Sequence, residues 1–201
     1  MKLTKIIIFT SILSCIIGNS FAQTLENYIA NYNPSEASYI AQQIRLNGQR
    51  YHIDPLFLSA VFKVESAYDN SAVSYAGALG IAQLMPATAQ EVGANPYDIA
   101  SNISGGSYYL RQMLNAHSDK GQLQYNYALA SYNAGLGNVG NTIPSYTYDY
   151  IQSVQDEYYK QKNSISDLGA TISNSKHLNS LQQKKALLAK LKAVQEARKH
   201  K

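Results

Sequence analysis

Glu65 is the first residue of this chain whose setting promises chemistry. It follows Val61-Phe62-Lys63-Val64 near the end of an apolar helical stretch. A glutamate closing a buried helix is partly removed from water, which disfavours its charged form and raises its pKa. A carboxyl group poised near neutral pH can give up a proton and then take one back. Read alone, the same residue would be an ordinary solvated charge. The segment that follows, Asp69 to Pro86, is rich in alanine and glycine. Gly77 and Gly80 let backbone approach a bulky ligand closely. Ser74 and Gln83, with Tyr132 further along, supply neutral hydrogen-bonding groups. Neutral donors and acceptors beside aromatic faces suit a sugar chain.

The rival carboxylate is Asp69, four residues after Glu65. Ordinary glycosidases use two carboxylates, about 5–5.5 Å apart when retaining and about 6.5–9.5 Å when inverting. If the helix ran on, Asp69 would share a face with Glu65. The usual preferences of Asp place it instead at a helix end or turn. A serine-nucleophile reading has little to stand on, because no G-x-S-x-G elbow surrounds Ser66 or Ser74 and no motif links His52 or His117 to a triad. The four histidines are far apart, with no zinc-like spacing, and neither metal nor cofactor is expected.

The elements that must position these groups are predicted to be helical throughout. Asn33-Pro34-Ser35 starts a helix running to about Tyr51. Asp54 caps the next, with Pro55 at its first position, and it ends near Ser66. Met85-Pro86 opens a short helix stopped by Gly93. Asp98 or Ser101 starts another, through Tyr109, Leu110 and Met113. Leu123, Tyr127 and Ala130 mark a helix ending at Gly135, and Ser145 caps one carrying Ile151, Val154 and Tyr158. Any β structure should be a short hairpin between Val73 and Leu84. Asn102 and Gly106 are assigned to structure, as a helix start and a point of close packing.

Three ordered blocks resemble the soluble lytic transglycosylase family. They are Glu65-Ser66 with the stretch from Ser74 to Ala89, then Asp98 and Asn102-Ile103 with Gly106, Tyr109 and Leu110, then Ala130-Ser131-Tyr132-Asn133-Ala134-Gly135. The likeness spans roughly Ala37 to Tyr159. It implies a mainly α, lysozyme-like domain that cleaves peptidoglycan between N-acetylmuramic acid and N-acetylglucosamine. By the same resemblance Glu65 matches the catalytic acid/base, and Ser74 a serine that contacts substrate near the cleaved bond. Gln83 and Met85 match groove residues, Tyr132 the tyrosine beside the catalytic glutamate, and Asn133 its neighbour. The chain departs from the pattern at Ile81-Ala82, Asn70, Ser131 and Tyr146-Thr147, the last standing where the family often has Glu-Thr. The family's mechanism needs one carboxylate and yields a 1,6-anhydro-muramoyl product. Two alternatives remain open: a lysozyme-type hydrolase using Asp69 and water, and a non-catalytic glycan-binding or assembly protein on the same scaffold.

The chain has 201 residues, 45% of them hydrophobic and 15% charged, with a net charge of +4. That apolar fraction excludes wholesale disorder. The charge is unevenly placed. Residues 23–175 hold 7 Lys/Arg against 12 Asp/Glu, whereas residues 176–201 hold 8 against one, Glu196. The basic character thus belongs to a tail, and nucleic acid is not expected as a partner. Residues 1–22 read as an export signal: Lys2 and Lys5, an apolar run from Ile6 to Ile17, and small residues Ser20 and Ala22. The run is too short to span a bilayer. A periplasmic location follows, with lipid anchoring at Cys15 as the rival. The expected organisation is a signal at 1–22, a catalytic domain at 23–160, a polar linker at 161–177 and a basic amphipathic tail at 178–201. The tail carries Leu181, Leu188, Leu191 and Val194 on one face, suited to resting on the domain, docking an envelope or secretion-machine protein, or holding an anionic surface.

Overall fold

Local chemistry sets most helix boundaries in the computed structural model, which describes residues 24–164. Helix α1 covers residues 24–30. Helix α2, Ala37–Tyr51, begins two to four residues later than the sequence predicts. Asn33 explains the delay: its carboxamide oxygen accepts from Glu36 N at 3.2 Å and from Ser35 Oγ at 3.1 Å, holding residues 33–36 in a turn. Helix α3, Pro55–Ser66, starts as expected, with the Asp54 carboxylate accepting from Leu56 N at 2.9 Å and Pro55 at the first position. Its residues Leu56 to Phe62 are all buried. Burying each large apolar side chain there contributes about 1.5–3 kcal/mol.

The chain then reverses. Ala67 and Tyr68 both have positive φ, 53° and 64°, which is uncommon for residues with a Cβ. Tyr68 is fully buried, and its hydroxyl meets Ser59 Oγ at 2.8 Å. That anchor holds the strained reversal in place.

The stretch up to Leu84 contains only isolated bridges, Val73 to Leu79 and Leu79 to Leu84, in place of a hairpin with a regular ladder. Helix α4, Pro86–Glu91, follows, and Gly93 stops it at φ 68°. Helix α5, Ile99–Ala116, is capped by Asp98, whose carboxylate accepts from Ser101 N at 2.8 Å. Helix α6, Gln124–Ala134, ends at Gly135, φ 86°. Ser145 caps nothing with its side chain; it opens a 3-10 turn, Ser145–Thr147, ahead of helix α7, residues 148–164. The mainly α expectation holds.

Helix α5 packs against α2 and α6 in the centre. The described residues up to Lys162 form one compact unit, and a second begins at Asn163. The sequence reading starts the polar linker at residue 161, but α7 continues through residue 164 with Gln161 buried. The export signal, the rest of the linker and the basic tail lie outside the described residues. No helix among the described residues is long and apolar enough to cross a membrane.

Candidate active site

Glu65 occupies the last turn of α3, part-buried where the helix leaves the core. Desolvation pushes its carboxyl up to about 7, opposed by one hydrogen bond to the charged form from Tyr150. The Tyr150 hydroxyl donates to Glu65 Oε1 at 2.5 Å, from the first turn of α7. Burial and the nearby Glu65 charge hold the phenols of Tyr150 and Tyr132 well above their ordinary range. Both therefore stay neutral beside Glu65 as hydrogen-bonding groups.

Tyr132 comes from the end of α6 and is buried. Its hydroxyl donates to the Ala82 carbonyl at 2.8 Å, and its ring lies 5.3 Å from that of Tyr109 on α5. Gly106 makes this packing possible: a Cβ there would meet Ala82 Cβ at 2.4 Å and the Tyr132 hydroxyl at 3.1 Å.

The irregular segment from Asp69 to Met85 is fixed chiefly by one side chain. Asn102 is fully buried on α5. Its oxygen accepts from Ala82 N at 2.7 Å, and its amide nitrogen donates to Leu79 O at 3.0 Å and Pro96 O at 3.1 Å. Gly80 must lack a Cβ because one would sit 2.6 Å from Asn102 Nδ2 and 2.7 Å from Pro96 O. Asn102 is therefore the tie between helix and loop, whereas the helix start belongs to Asp98. Ser66 adds a second tie, donating from Oγ to Ile81 O at 2.9 Å.

Four of the six predicted site residues meet at one open pocket of about 170 Å³. Gln83, Met85, Tyr132 and Asn133 line it, joined by Thr88, Tyr109 and Gly135. Gln83 has φ 47°, and its amide nitrogen donates to Ala72 O and Gly80 O at 3.2 and 2.9 Å. A strained residue on a pocket wall, pinned by its own side chain, is a common mark of a functional site. Glu65 and Ser74 are not among the lining residues. The Ser74 hydroxyl accepts from Ala78 N at 2.9 Å and shapes the turn over Gly77.

Asp69 stands apart from this arrangement. Helix α3 ends before it, so it does not share a helical face with Glu65. It is exposed, and Oδ1 accepts from Ser71 N at 2.8 Å and Ser71 Oγ at 2.6 Å. These bonds pull its pKa below the usual value. His117 is equally committed elsewhere, with Nε2 2.8 Å from Ser131 Oγ in the core. Sequence reasoning missed Tyr150, Tyr109 as a wall, and Thr88. The available signal for Tyr150 was its place one turn before Val154, a buried position of α7.

One carboxyl able to exchange a proton near neutrality, two neutral tyrosines, and an open pocket of amides and aromatic rings can do acid–base chemistry on an uncharged, hydroxyl-rich ligand. The family model for the Transglycosylase SLT domain matches residues 42–153, more than half of the chain, and the chain belongs to that family. A transglycosylase of enterobacteria phage PRD1 is 38% identical over 108 residues, covering 52% of this chain and 39% of its own length. The membrane-bound lytic murein transglycosylase C of Actinobacillus pleuropneumoniae serotype 5b (strain L20) is 30% identical over 154 residues, 69% of this chain and 42% of the relative. This chain thus spans about two fifths of those relatives. Among solved structures, an inactive mutant of the lytic transglycosylase Slt from Pseudomonas aeruginosa aligns with a TM-score of 0.49 at 24% identity, over 62% of this chain and 24% of that one.

Proposed function

We propose that this chain is a peptidoglycan lytic transglycosylase that cleaves the β-1,4 bond between N-acetylmuramic acid and N-acetylglucosamine. The observation that carries the reading is the Glu65 carboxyl, raised to about 7 at the end of α3 and hydrogen-bonded by Tyr150. Glu65 in its protonated form gives its proton to the glycosidic oxygen as the bond to the muramoyl anomeric carbon breaks. The muramoyl acetamido group shares the positive charge that develops there. Glu65, now a carboxylate, takes the proton of the sugar's own 6-hydroxyl, and that oxygen closes on the anomeric carbon. The products are a free 4-hydroxyl and a 1,6-anhydro ring. Water is not consumed, and Glu65 ends protonated as it began.

Tyr150 orients the carboxyl, while Tyr132 supplies a buried wall fixed to Ala82. Gln83, Met85 and Asn133 are the proposed contacts to sugar rings along the pocket. Ser74 is proposed to act on the substrate side of the same segment. The sequence of residues 1–22 supports export to the periplasm, where peptidoglycan lies. The basic tail is the proposed attachment point for an envelope or secretion-machine protein.

Digestion of purified sacculi by the wild-type chain and by Glu65→Gln tests the reading. Anhydro products, lighter by one water than hydrolysed ones, are expected from the wild type and none from the variant. Hydrolysed products, or undiminished lysis by Glu65→Gln, would overturn it.

A further inference from the structure

A second cleft, of about 390 Å³, lies at the far end of the helices that build the Glu65 site. Helices α3, α6 and α7 each contribute to both places. On α3, Glu65 is at one end and Asp54 and Phe57 at the other; on α6, Tyr132 and Asn133 are opposed by Tyr125 and Asn126; on α7, Tyr150 is followed by Gln155, Tyr158 and Tyr159. Eleven residues of helix separate Asp54 from Glu65, about 16 Å of axial rise.

The cleft is built from aromatic faces and side-chain amides. Phe57 is its buried base, edge-on to Tyr125 at 4.9 Å and to Tyr158 at 5.9 Å. Tyr158 and Tyr159 stand 5.5 Å apart, and Lys162 lies over the Tyr158 ring. Tyr125 is 41% exposed and Tyr159 59%, so large ring surface remains open to a ligand. The Tyr158 hydroxyl donates to Asp54 Oδ2 at 2.9 Å, which fixes that ring. Gln155 Nε2 donates to Asn126 Oδ1 at 2.9 Å. That bond uses one half of each amide, so Gln155 keeps its oxygen and Asn126 its nitrogen for other partners. Gln122 adds a third amide at the rim. The lining contains a single carboxylate, Asp54, and no lysine or arginine.

We infer that this cleft is a non-catalytic saccharide site that holds a glycan strand of the substrate meshwork while Glu65 works elsewhere. The chemistry favours a sugar over other ligands. Pyranose rings present flat apolar faces that lie on aromatic rings, and their hydroxyl and acetamido groups pair with side-chain amides. An anionic ligand would meet the Asp54 carboxylate, while the lysine at this cleft, Lys162, is already engaged over the Tyr158 ring. The inference rests on the reading of the substrate as peptidoglycan, and a cross-linked, insoluble wall gives a second point of attachment something to hold.

The experiment uses the full chain with the exposed rings removed, Tyr125→Ala/Tyr159→Ala. In the Glu65→Gln background, which binds without cutting, sedimentation with purified sacculi should weaken about tenfold on losing the two stacked rings. With Glu65 intact, turnover of a short soluble GlcNAc–MurNAc tetrasaccharide should be unchanged. Tyr125→Phe/Tyr159→Phe, which keeps the rings, should restore sacculus binding. Unchanged sedimentation of the Ala variant overturns the inference, and so does an equal loss of tetrasaccharide turnover, which would assign the effect to the fold or to the Glu65 site. A wild-type chain that binds sacculi but leaves the tetrasaccharide uncut would count against the proposed reaction alone.

Discussion

The Tyr150 hydroxyl and Glu65 Oε1 stand 2.5 Å apart, joining the first turn of α7 to the last turn of α3 across 85 residues of sequence. Two forces on the Glu65 carboxyl oppose each other at this contact. Burial raises its pKa, and the tyrosine's hydrogen bond lowers it. The balance leaves the carboxyl raised to about 7.

Tyr150→Phe removes the lowering force. The Glu65 pKa should therefore rise further, and the alkaline limb of the kcat/KM profile, expected in the wild type near the Glu65 value of about 7, should move to higher pH. The same change frees the carboxyl to rotate, and kcat should drop by up to about a hundredfold. A full pH–rate profile on a soluble substrate separates the two effects; a lower kcat with an unmoved limb would contradict the role given to this hydrogen bond.

Glu65 also makes stability depend on pH. The folded chain keeps this proton up to about pH 7, whereas the unfolded chain releases it near 4.5. Its contribution is whole below the unfolded value and is lost as pH rises through the folded one, an upper figure of about 3 kcal/mol. Glu65→Gln keeps the shape and cannot ionise. It should raise Tm by several degrees at pH 8 and change it little at pH 4. Thermal unfolding at the two pH values checks this, and equal shifts at both would refute it.

Asp69→Asn should leave glycan cleavage and the anhydro product unaltered. Asp69 is exposed and tied to Ser71, and its helix has ended before it. Asn preserves the acceptor oxygen for Ser71, so the turn should survive. A loss of activity above tenfold would restore Asp69 as a second carboxylate.

Asn102→Ala should be strongly disruptive near the site. It strips partners from Ala82 N, Leu79 O and Pro96 O at once. Each buried group left unpaired costs about 1–3 kcal/mol. Urea denaturation should show a loss of several kcal/mol, and a near-neutral result would mean the loop has other support.

The sequence made some of this legible for local reasons. Asp54 with Pro55, Asp98, and Gly135 act within one turn of themselves, so their caps can be read directly. The raised Glu65 pKa follows from the apolar run before it. Asn33 shows the limit of that logic: its side chain held residues 33–36 out of the helix. Tyr150 and Asn102 were harder. The partner of Tyr150 is 85 residues away, and the loop partners of Asn102, Ala82 and Leu79, are 20 and 23 away, with Pro96 nearer at six. Asn102 looked like a helix start because amides favour such positions, yet its side chain turns inward to the loop.

The pocket wall contributed by residues 69–85 is buttoned to α5 by Asn102, without a β ladder running through it. A ladder would make every residue answer to its neighbours' register. A buttoned loop does not, so residues such as Tyr75, whose side chain lies wholly in solvent, are open to variation while Ala82 stays fastened. A substitution at Tyr75 should therefore leave intact both the fastening of Ala82 to Asn102 and the tie from Ser66, at the end of α3, to Ile81.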